Sequence, residues 1–163
     1  MSETLLYELL EILNQEKELY RKLYTIAEDK KETLINNEIE NLFNHIENDR
    51  EYIEKINDLE NRRQTVMKNI DENFNLKSKE LSYLDFVEKL PEKWAEKLNP
   101  VRDELINILE KFHVQNEENK RLIEEAVKFN KFSIDLIIDN LNNNNYTYND
   151  SGQSSPRLLD KRG

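Results

Sequence analysis

Apolar side chains return every three or four positions along most of this chain, the spacing of helices that bury one stripe and solvate the rest. Ser2 is placed to cap a first helix, which carries Leu5, Leu6, Leu9, Ile12, Leu13, Leu19, Tyr20, Leu23, Ile26 and Ala27. The pattern predicts this helix over about 3–35. The interruption "INNEIENL" reads as a tight reversal. Asn36 is expected in the left-handed C-terminal position, with Asn37 and Glu40 forming an Asx version of the capping box. A second helix, about 38–75, then shows Ile39, Leu42, Phe43, Ile46, Ile53, Ile56, Leu59, Val66, Ile70 and Phe74. The alternative is one unbroken helix through both asparagines.

From Leu76 the pattern shortens. "SYLDFVEKL" predicts a small helix starting after Ser82, and "LPEKWAEKLNP" another starting at Pro91, so that 83–99 consists of short pieces. Pro100 is expected to open the last long helix, 101–141, on the order of 60 Å long. Residues 142–163, "NNNNYTYNDSGQSSPRLLDKRG" with Leu141 before them, have the polar, turn-forming composition of a disordered tail. The expectation is an all-α fold, an elongated antiparallel bundle of three long helices (coiled-coil-like, residues 1–141) with short connecting helices and a flexible C-terminal tail.

On a helical wheel, Val101, Leu105, Ile108, Leu109, Phe112, Ile123, Ala126, Val127, Ile134, Ile137, Ile138 and Leu141 share an arc of about 120°. Asn116, Asn119 and Asn130 fall in the same arc and are expected in the packing seam. A buried amide without partners costs about 1–3 kcal/mol. Such residues are retained where they penalise slipped registers. Outside that arc lie Leu122, Phe129, Phe132 and Leu136, so from about Leu122 onward the apolar sector widens to roughly 240°. A helix so apolar is either wrapped by its own domain or meant for a partner.

Composition narrows the function classes. The chain has 163 residues, 37% hydrophobic and 36% charged, with a net charge of -10. No basic face is left over to neutralise phosphates, which argues against nucleic acid as a partner. With no cysteine there is no disulfide framework, thiol nucleophile or cysteine-based zinc site. "MSETLLYELLEIL" lacks the basic region of a signal peptide and no run reaches transmembrane length, so a cytoplasmic protein is expected. Glu110 and His113 form one Glu-x-x-His pair, but a di-metal carboxylate bundle needs two, and His45 has Leu42 three residues before it. No metal, no cofactor and no catalytic residue is expected. Without a Gly-rich phosphate loop or Gly-x-Ser-x-Gly, and with two histidines, the chain does not read as an enzyme.

In their order, these features resemble the FlgN family of flagellar export chaperones. The resemblance runs through "LLYELLEILNQEKELYRKLYTIAEDKKETLINNEIENL", "LSYLDFVEKLP", "LINILEKFHVQNEENKRLIEEAVKFNKFSIDLI" and the tail "YTYNDSGQSSPRLLDKRG". Its most specific part is "NEENKRLIEEAVKF", where Asn116 and Asn119 look like the family's Asn-x-x-Asn signature. The resemblance implies a cytosolic chaperone that keeps hook-associated proteins from assembling early. It would then deliver them to the export gate and ATPase of the flagellar type III apparatus. The family's cargo-binding region is C-terminal, where the apolar sector widens. The expected partner-binding residues are therefore Leu122, Val127, Phe129, Phe132, Leu136 and Ile137. The competing expectations are a scaffolding coiled coil that pairs with itself as a homodimer, and an export chaperone for another substrate such as the filament cap.

Overall fold

The computed structural model describes residues 2–144. Four helices account for nearly all of them: α1 (Ser2–Ile35), α2 (Ile39–Phe74), α3 (Tyr83–Glu88) and α4 (Glu92–Asn144), with a single 3₁₀ turn at Ser78–Glu80. No strand occurs among the described residues, and the long helices pack on one another, the all-α helical architecture expected from the spacing. Of the expected tail, 142–144 continue α4 and 145–163 lie outside the described residues. The chain divides into two units, Met1–Asn119 and Lys120–Gly163.

The first unit holds the core. Leu6, Leu9 and Ile12 of α1 meet Leu59, Val66 and Ile70 of α2. Phe86, Val87 and Leu90 and then Trp94 and Leu98 close over them. Each such side chain is worth roughly 1.5–3 kcal/mol on burial. The short connection after α2 is thus part of the core. Trp94, wholly enclosed, meets the Tyr7 ring edge-on with centroids 4.8 Å apart. Between α1 and α4, Lys17 bonds Glu104 at 2.7 Å and Lys31 bonds Glu118 at 2.8 Å.

Asparagines make both turns. Asn37, with φ 56°, takes the left-handed position expected for Asn36, and the Glu38 amide donates to the Thr33 carbonyl at 2.9 Å. That six-to-one bond closes α1 in a Schellman turn. Glu38, not Asn37, precedes α2, and its side chain makes no cap bond, so the Asx capping box is not formed. Asn75, with φ 53°, repeats the turn at the end of α2, where the Leu76 amide donates to Asp71 at 2.8 Å. The Asp71 carboxylate also accepts from the Ser78 amide and hydroxyl, which folds the chain back toward α3. Ser82 caps α3 by accepting the Asp85 amide at 3.2 Å, as its position predicts.

Pro100 does not open the last helix. It lies inside α4, which is entered by a bond from the Trp94 amide to the carbonyl of Pro91, the residue just before the helix. The short piece expected up to residue 99 is therefore the first part of α4. A proline within a helix costs about 3 kcal/mol. Here Trp94, Leu98 and Val101 are buried at four- and three-residue spacing, and that burial outweighs the loss. The ring and Glu96, whose carbonyl loses its partner, are both exposed.

One carboxylate is buried in the first unit. Glu16 of α1 keeps Oε1 without a hydrogen-bond partner. Burial pushes its carboxyl up from the usual range, opposed by the Arg63 guanidinium of α2 and reinforced by Glu60. Arg63 is held by Glu60 at 2.6 and 2.8 Å.

Candidate functional site

Helix α4 continues through the second unit without a break, since Lys120–Asn144 contains no Gly or Pro. Its chemistry changes at the unit boundary. Every residue from Lys120 to Asn143 is exposed or half-buried. Of the residues expected to bind a partner, Phe129 is 68% exposed, Phe132 61% and Leu136 48%. Val127 and Ile137 are likewise exposed, and Leu122 is half-buried. All six therefore lie on one uninterrupted helical stretch, spaced over roughly four turns.

The wheel missed part of this surface. Ile123, Ile134 and Leu141, which share the arc of the core stripe, are also exposed. Periodicity reports which sectors of a helix are apolar, not whether a neighbour covers them. The same holds at the α1–α2 turn, where Ile35, Ile39 and Phe43 are open to solvent. The flanks of the C-terminal strip are charged but balanced: Lys120, Arg121, Lys128 and Lys131 against Glu124, Glu125, Asp135 and Asp139. The acidic surplus of the chain is not concentrated there.

The three asparagines part company. Asn119 is buried, donates through Nδ2 to the Ala27 carbonyl of α1 at 2.8 Å, and accepts from Gln115 Nε2 at 3.1 Å. It satisfies both ends of its amide while tying α4 to one position along α1. Asn116 is half-buried. Asn130 is exposed in the second unit, with no packed seam around it among the described residues.

Glu110 and His113 are both exposed, and no cluster of three or more metal-ligating side chains occurs among the described residues. No helix among them is long and apolar enough to cross a membrane. What α4 offers is apolar area: a run of Phe, Leu, Ile and Val left exposed among the described residues, suited to pairing with another amphipathic helix.

Compared with known proteins, the chain matches the model of one family, described as FlgN protein, over residues 1–156. No curated protein and no solved structure matches it.

Proposed function

The chain belongs to the FlgN family, whose members serve as flagellar export chaperones, and from that premise we propose that Leu122, Val127, Phe129, Phe132, Leu136 and Ile137 form its cargo-docking strip. The cargo is the helical terminus of a hook-associated protein, held apart from its assembly partners and then handed to the flagellar type III export gate. Such termini are amphipathic and lack a folded partner before assembly, and an open apolar helix provides a temporary one. The observation that carries this reading is the exposure of Phe129, Phe132 and Leu136 on a helix whose earlier turns are packed.

The energetics suit reversible holding. Burying four or five of these side chains is worth roughly 6–12 kcal/mol gross. Ordering a flexible terminus and joining two molecules removes much of that, leaving an affinity in the micromolar range or somewhat tighter. The balanced charges along the strip add solubility without a strong electrostatic trap, so release needs no change of pH or salt.

The test is titration calorimetry of the full chain against C-terminal segments of hook-associated proteins, with wild type and the Phe129→Ser/Phe132→Ser variant. Binding is expected for wild type and lost in the variant, with helicity by circular dichroism preserved. No binding by wild type, or collapse of helicity in the variant, would sink the assignment. A self-pairing scaffold would instead show a dimer that dissociates on dilution in light scattering and is indifferent to those segments.

A further inference from the structure

The first unit has an open groove on the side of α1 where α2 and α4 form opposite walls. Its volume is about 930 Å³. Leu9 and Leu13 of α1 lie at its base, with Leu105, Ile106 and Leu109 on the α4 wall. None of these except Leu9 is fully buried, and Ile106 is exposed, so the apolar surface is presented rather than consumed by the core. The walls run from Asn61 to Asp71 on α2 and from Leu98 to Leu109 on α4, a length of roughly 16 Å, or three helical turns. The 3₁₀ turn and α3 close one end through Lys79, Ser82 and Phe86.

The charge on the rim is opposite to that of the molecule. Arg63, Lys68, Lys79 and Arg102 line the groove beside one carboxylate, Asp71, in a chain of net charge -10; Arg63 is paired with Glu60 and Arg102 with Asp103 at 3.4 Å, which leaves the Lys68 and Lys79 ammonium groups as the uncompensated charge. Asp71 is already engaged by the Ser78 amide and hydroxyl. Arg102 lies over the Tyr83 ring, its guanidinium carbon 4.4 Å from the centroid, which holds it at the mouth. The Lys68 and Lys79 side chains make no ion pair or hydrogen bond among the described residues. Cations gathered around an apolar trough select an anionic, amphipathic occupant by electrostatic complementarity.

We propose that this groove is a second docking site, separate from the C-terminal strip, and that it takes an acidic amphipathic helix of a partner protein. A helix laid there with its apolar face on Leu13, Leu105 and Leu109 becomes the fourth member of a local bundle. Its acidic flanks meet Lys68 on one wall and Arg102 on the other, with Lys79 at the closed end. The chain can then hold two different helices at once, one selected by apolar area and one by charge.

Met67 lines the groove and shares the chain with one other methionine, Met1, so methyl-labelled methionine gives a reporter at the site. The probe is an amphipathic peptide of about fourteen residues, Leu on one face and Glu on the other, titrated into the full chain by NMR. A control peptide has Lys in place of every Glu. The Met67 resonance is expected to move saturably with the Glu peptide and not with the Lys peptide. Lys68→Glu with Lys79→Glu, both exposed positions, should weaken the Glu peptide about tenfold or more. The Phe129→Ser/Phe132→Ser variant should keep the full response, which separates this site from the cargo strip. The proposal fails if Met67 is indifferent to the Glu peptide, if both peptides move it alike, or if the strip variant loses the response. It also fails if raising the protein concentration alone moves Met67, which would assign the face to a second copy, or if decanoate occupies the groove and the peptide does not.

Discussion

Trp94 and Phe129 are aromatic residues of the same helix, yet Trp94 is 0% exposed and Phe129 68%. In the first unit α1, α2 and the start of α4 cover one another, and apolar side chains become core. In the second unit the same kind of side chain stays exposed among the described residues. An apolar residue is therefore not evidence of a core by itself; the number of helices beside it decides whether it stabilises the fold or remains available to a partner.

The contrast can be broken most directly at its buried end. Trp94→Ala should cost about 3–5 kcal/mol of stability, read as a lowered urea midpoint, because the void it leaves is surrounded on all sides. Phe129→Ala should change stability, read the same way, by less than about 0.5 kcal/mol. Equal effects would mean that Phe129 is core after all. A smaller difference is expected between two asparagines. Asn119→Ala should cost about 1–2 kcal/mol through its bond to the Ala27 carbonyl, whereas Asn130→Ala, exposed, should be nearly silent.

Glu16 sharpens the comparison through pH. Because burial raises its carboxyl above the ordinary value of 4.5, the unfolded chain ionises first as pH rises, and the folded state then bears a penalty. Below 4.5 both states hold the proton and the penalty vanishes. Glu16→Gln should accordingly stabilise the first unit near neutrality and converge on wild type in acid, measured by denaturation at several pH values. A gain that persists unchanged into acid would rule out the ionised carboxylate as its cause. The exposed strip should show no counterpart, its helicity being insensitive to this substitution.

Much of this arrangement was legible in the residues. The spacing of Leu6, Leu9 and Ile12, and of Leu59, Val66 and Ile70, marks helices with one buried face, and those residues are core. Ser82 announces α3 because a cap is a local device that nearby residues complete. The start of α4 was not legible, because Pro100 is a strong local breaker and the burial of Trp94 and Leu98 that overrides it is a tertiary fact. Asn36 and Asn37 are chemically equivalent candidates for one left-handed position, and only the path of the chain chooses Asn37. For the strip, the widening of the apolar sector at Leu122 was visible on a wheel. That Ile123, Ile134 and Leu141 would be open as well was not, since a wheel contains no neighbours.

Trp94 is the single tryptophan of the chain, and it is sealed against Tyr7 in the first unit. Its emission should therefore redden when that unit melts and stay constant when something settles on Phe129 and Phe132 alone. With light alone, an observer can watch the foundation and remain blind to the handle. A client that quenches or shifts this fluorescence has reached somewhere other than Phe129.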